Sequence, residues 1–106
     1  MEKRKSSQKT QIPGFRIYEA RLAKGISQEN LGVLIGLDEG TASARISRYE
    51  SGIHEPPIDT ARNIAESLGV PLAYLYCEEA QLASLLLKLS KLGKRDLSEL
   101  AAKLAE

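Results

Sequence analysis

Two short segments of helical apolar spacing, separated by a glycine and a turn, occupy Ile26 to Gly52 and constrain this chain's fold more than any other feature. Ser27 suits the N-cap of the first, Glu29 complements the dipole in its first turn, and Leu31 and Ile35 form an inner stripe at i, i+4. Gly32 lies between them, where the lack of a side chain lets a neighbouring helix approach closely. Gly36 ends this segment. Leu37-Asp38-Glu39-Gly40 then reads as a turn, and Thr41 or Asp38 is placed to cap a second helix running to about Ser51. If Ile46 and Tyr49 point inward, Ser43, Ala44, Arg45 and Arg48 fall on or near the outward side, a polar, arginine-bearing face.

The rest of the chain also predicts helices. Met1 to Pro13 is polar and basic, with too little apolar surface to fold alone, and is expected to be a flexible arm. Gly14 to Lys24 follows as a helix with Ile17 and Ala20 inward, stopped by Gly25. Beyond the Gly52–Pro57 loop, Ile58, Ala61, Ile64, Ala65 and Leu68 recur at helical spacing, and Gly69 ends that run. Pro71 suits the first position of a short helix containing Leu72 and Leu75. Glu78 to Leu92 carries a stripe of Leu82, Leu85, Leu86, Leu89 and Leu92. After Gly93, Leu97, Leu100, Ala101 and Leu104 repeat the pattern. No β signal appears, so the expected fold is all-α. It comprises an arm (1–13), a five-helix domain (14–76) and a C-terminal helical hairpin (77–106).

Composition excludes several functions. Hydrophobic residues are 42 % and charged residues 27 %, ordinary for a globular domain, while 5 % aromatics and no Trp leave an aliphatic core. No apolar run approaches the roughly 18–20 residues of a membrane span, and no h-region follows the charged N-terminus, so a cytoplasmic protein is expected. One His, one Cys and no glycine-rich phosphate loop on a strand leave no catalytic machinery, metal cluster or cofactor site. Cys77 reads as a small buried or half-buried apolar residue. The net charge of +1 says little by itself, but Lys3, Arg4, Lys5 and Lys9 stand against Glu2 alone in the arm.

From Arg16 to Leu75 the sequence resembles the phage-repressor and Cro-like, XRE-type helix-turn-helix regulators. The resemblance is carried by Arg16-Ile17, Arg21, Gly25-Ile26-Ser27-Gln28-Glu29, Leu31, Gly36, Ile46-Ser47-Arg48, Glu50, Gly52, Pro56, Ile64-Ala65, Leu68-Gly69-Val70 and Leu75. It implies that the second helix of the motif lies in the major groove of double-stranded DNA and the first crosses the backbone. Gln28 would open the positioning helix, aimed at a phosphate or capping its own helix. Arg21 and Glu50 would pair, either bracing two helices or holding Arg21 toward a phosphate. Arg48, and after it Arg45, would contact bases or phosphates, with Thr41 or Ser43 as secondary contacts, Ala44 on the groove-facing side, and Ser47 either touching DNA or back-bonding within its helix.

Two departures stand out. Ten positions separate Gly36 from Ile46 where the family pattern has about six, so residues 38–41 lengthen either the turn or the recognition helix. The loop Ile53-His54-Glu55-Pro56-Pro57 lacks the lysines and arginines that relatives often set against phosphate. The expected function is a sequence-specific DNA-binding transcriptional regulator, a repressor acting as a homodimer through the Leu82–Leu104 hairpin. The alternative is an antitoxin-type interaction protein that neutralises a partner toxin and autoregulates through the same domain.

Overall fold

Each of the five helices before residue 76 sends one fully buried aliphatic side chain to a common centre. These are Ile17, Leu31, Ile46, Ile64 and Leu75, in a computed structural model that describes residues 11–106. The helices are α1 (Gly14–Lys24), α2 (Gln28–Leu34), α3 (Glu39–Ser51), α4 (Ile58–Leu68) and α5 (Leu72–Leu75). Two more follow, α6 (Ala80–Leu89) and α7 (Lys94–Leu104), and the described residues contain no strand. The arm's basic residues, Lys3, Arg4, Lys5 and Lys9, lie outside the described residues.

Local chemistry sets most of the boundaries. Ser27 accepts a hydrogen bond from the Asn30 amide and so caps α2. Gly25, Gly52 and Gly69 follow α1, α3 and α4 in the left-handed conformation that ends a helix cheaply only at glycine. Asp38 occupies the N-cap position of α3, although its side chain makes no capping bond, and the Thr41 and Ala42 amides donate to its carbonyl.

Three expectations change. The turn does not extend through Glu39-Gly40: those residues already belong to α3, so the extra residues lengthen the helix. Gly40 there has an ordinary negative φ, unlike Gly36 at φ 96°. Ile58, expected inside, opens α4 and is 53 % exposed, because its first turn overhangs the core that Ala61 and Ile64 enter. Pro71 stands just before α5 as its N-cap rather than within it.

The joint between α5 and α6 is held by a buried arginine. Arg16 of α1 donates from Nε to the Cys77 carbonyl (2.8 Å), from Nη2 to the Glu78 carbonyl (3.1 Å) and from Nη1 to Glu19 (2.8 Å). Tyr74 donates its hydroxyl to the same Glu19 oxygen at 2.8 Å. Burial, then this bond to Glu19, pushes the Tyr74 phenol well above its usual range. Ala83 anchors α6 to the body with Leu87 half-buried beside it, whereas Leu82 and Leu85 face solvent and no residue of α7 is buried.

Candidate nucleic-acid interface

Helix α3 has one inward and one outward side. Ala42, Ile46 and Tyr49 are buried at i, i+4, i+7. At about 100° per residue, Ala44, Ser47, Arg48 and Ser51 project away from that stripe, Ser43 lies on one flank, and Thr41 and Arg45 on the other. All of these outward residues are exposed. Arg48 stands nearer the middle of the outward side than Arg45, which adjoins the buried stripe.

The crossing of α2 over α3 depends on absent atoms. A Cβ built on Gly32 would sit 2.5 Å from the Ala42 Cβ, closer than two carbons can pack. The two smallest side chains at that contact therefore let the helix backbones meet, and this fixes how far α3 stands out from the domain. Ala42 falls in the first turn of α3, so the lengthened N-terminal end of the helix is packed against α2.

Behind the outward side lies a buried ion pair. Arg21 Nε and Nη2 donate to the two Glu50 oxygens at 2.5 and 3.1 Å, and Nη1 donates to the Ile26 carbonyl at 2.9 Å. The two side chains are 10 % and 7 % exposed. The hydrogen bond to Glu50 raises the Arg21 pKa against the opposing effect of burial, so the arginine stays charged. Arg21 thus stands behind the interface as a brace between α1 and α3, with Nε and both terminal nitrogens bonded inside the protein.

Gln28, the first residue of α2, joins the same network. Its amide donates to Glu50 at 3.0 Å, and Ser43 Oγ comes within 3.4 Å of its carbonyl oxygen. Helix α2 has only seven residues, so side chains rather than a long helix dipole define this corner. The α3–α4 loop has no lysine or arginine: Ile53 and Glu55 are exposed, and exposed His54 donates its backbone amide to the Arg48 carbonyl.

The structure therefore brings Gln28, Ser43, Ser47 and Glu50 into one corner. Ala44 and Arg48 lie on the face beside it, Thr41 and Arg45 on the far flank, and Arg21 behind. Sequence reasoning saw no role of its own for Arg16. Its carbonyl partners lie 61 and 62 residues away, so nothing local marks it. Tyr18, 42 % exposed on α1 beside this corner, was also missed, since a lone exposed tyrosine on a helix carries no pattern.

A helix-turn-helix family model matches residues 17–75. Among solved structures, the chain is similar to the one titled "Crystal structure of transcriptional regulator BswR". The two share 44 % identity at a TM-score of 0.82, over 87 % of this chain and 91 % of that one. That coverage is wider than the segment the family model matches. No curated protein sequence matches the chain.

Proposed function

We propose, from the premise that this chain belongs to the helix-turn-helix family and is a DNA-binding transcriptional regulator of the XRE type, that it is a sequence-specific repressor acting as a homodimer. The observation that carries this reading is the outward side of α3, polar and exposed along its length while its opposite side is buried. A helix so mounted fits the major groove, where a bidentate arginine discriminates guanine by roughly 1–3 kcal/mol. Arg48 is the leading candidate for that contact and Arg45 the second, with Ser43, Ala44, Ser47 and Thr41 around them and Gln28 at the backbone.

Dimerisation is supported by the C-terminal helices. Leu82, Leu85, Leu92, Leu97 and Leu104 are between 38 % and 77 % exposed, a concentration of apolar surface in so short a segment that favours a partner. Two hairpins related by a two-fold axis would cover these faces in a four-helix arrangement. A single reading head spans few base pairs, and a dimer presents two heads to half-sites roughly 34 Å apart. The repressor reading rests on the resemblance of Arg16 to Leu75 to the phage repressors.

Hydroxyl-radical footprinting on a bound duplex tests the proposal. A dimer protects two patches on one face of the DNA, about one helical turn apart. A single patch contradicts the dimer, and uniform protection contradicts sequence-specific binding.

A further inference from the structure

We infer that Arg16 sets the half-site spacing this protein accepts in its DNA, by fixing the angle at which α6 leaves the five-helix body. This role rests on the DNA-binding dimer proposed above and adds the origin of its spacing rule. Arg16 acts as a positioning residue from inside the protein, with 4 % of its side chain exposed.

The linker between α5 and α6 has little of its own to hold it. The Cys77 and Glu78 carbonyls accept no backbone amide among the described residues. Their donors are Arg16 Nε at 2.8 Å and Nη2 at 3.1 Å. A guanidinium is planar and its donors form a rigid fork, so two bonds from one group fix the directions of two successive carbonyls. That guanidinium is itself pinned. Its Nη1 donates to the Glu19 oxygen that also accepts from the Tyr74 hydroxyl. Its carbon lies 5.4 Å from the Phe15 ring centroid and 5.9 Å from that of Tyr74.

Beyond the linker, α6 has only a narrow hold on the body. Ala83 is its one buried residue, with Leu87 packed beside it. A cleft of about 430 Å³ opens between α1 and α6, walled by Ala20, Ala23 and Lys24 on one side and Ser84 and Leu87 on the other. An apolar contact this small leaves relative motion as the default. The Arg16 bonds resist it.

Helix α1 carries the same constraint to the reading helix. Arg21 follows Arg16 by five positions, which places it about 140° away around the helix. Its pair with Glu50 holds α3. One helix thus fixes the recognition helix on one side and the C-terminal arm on the other. In a two-fold dimer joined through α6 and α7, the separation and rotation of the two reading heads follow from the angle of that arm. Each base pair inserted between half-sites moves one head by about 3.4 Å and turns it by about 34°, so a rigid joint admits one spacing.

The test is a binding series with the full chain on duplexes holding two copies of the selected half-site. Their separation is the selected one, or one or two base pairs more or less. Wild type, Arg16→Gln and Glu19→Ala are compared, each also measured by sedimentation and thermal unfolding. The Glu19 side chain is 48 % exposed, so its removal loosens the guanidinium while sparing the core, and it decides the matter if Arg16→Gln does not fold. Wild type is expected to lose about tenfold in affinity for a change of one base pair, the usual cost of a single misfit in a site. Both variants are expected to stay dimeric and to select the same half-site, yet to lose less than about threefold over the same change. A folded, dimeric variant that discriminates spacing as sharply as wild type overturns the positioning role. So does a wild type indifferent to spacing, or a variant that selects a different half-site. A wild type that selects a lone half-site contradicts the dimer, and one that selects no duplex contradicts DNA binding. In either case the spacing rule falls with its premise.

Discussion

Arg21 and Glu50 lie 29 residues apart in sequence, and with side chains 10 % and 7 % exposed each is the other's charge partner in the interior. Removing one partner strands the other, a loss typically of 3–5 kcal/mol. Glu50→Ala is therefore expected to lower unfolding stability by about 3 kcal/mol in urea titration, and Arg21→Ala/Glu50→Ala by less than the sum of the single losses. A Glu50→Ala loss below about 1 kcal/mol would show the pair to be solvated. Tyr74 makes the complementary case in pH. Its phenol titrates higher in the folded chain than its unfolded value of about 10, so above that pH the unfolded state releases its proton first. Stability should then be level from pH 7 to about 9.5 and fall as pH rises further. Burial acts on Tyr76 in the same direction, so Tyr74→Phe should flatten part of that fall rather than all of it. At this scale legibility followed distance along the chain. The Ser27 cap is a local bond and was readable, the Arg21–Glu50 pair was visible only through the family resemblance, and Arg16 entered that resemblance without any sign of the carbonyls it holds.

Helix α3 shows where local reading of an element fails. Leu-Asp-Glu-Gly resembles a turn because glycine usually interrupts helices, yet Gly40 sits in the first turn of α3 with unexceptional φ. What extends the helix backward is tertiary: Ala42 packs on Gly32 of α2, a contact that no spacing within α3 reveals. The two glycines therefore predict opposite responses. Nothing lies within 4 Å of a Cβ at Gly40, so Gly40→Ala should raise stability by about 0.5–1 kcal/mol through its effect on the unfolded chain and helix propensity. Gly32→Ala gains similarly in propensity but forces two backbones apart, for a net loss of about 1–3 kcal/mol. Thermal unfolding of both variants checks this. A destabilised Gly40→Ala would mean that the turn, not the helix, contains the extra residues. The glycines at positive φ after α1, α3 and α4 were legible because the requirement there is purely local.

For the whole molecule, the five-helix body was readable from its apolar periodicity together with the resemblance, but the role of the leucines in α6 and α7 was not. Helix α6 carries two apolar faces. The face the body uses is Ala83 with half-buried Leu87, leaving Leu82 and Leu85 outside, and periodicity alone gives no means of choosing between them. If the outer faces join two chains, Leu85→Lys and Leu97→Lys should convert a dimer to a monomer in sedimentation equilibrium while helical content is kept. Both side chains are already more than two-fifths exposed, so little of the body's own packing is lost. A wild type that stays monomeric at high micromolar concentration would contradict that assembly.

The central claim is that the outward side of α3 reads DNA sequence, and unbiased selection of bound duplexes tests it most directly when wild type, Arg48→Ala and Arg45→Ala are run in parallel. The account predicts that the wild type enriches a two-fold-related sequence and that Arg48→Ala changes or relaxes the preferred base at one position in each half. An enriched sequence left unaltered by both substitutions, or no enrichment by the wild type, would contradict it.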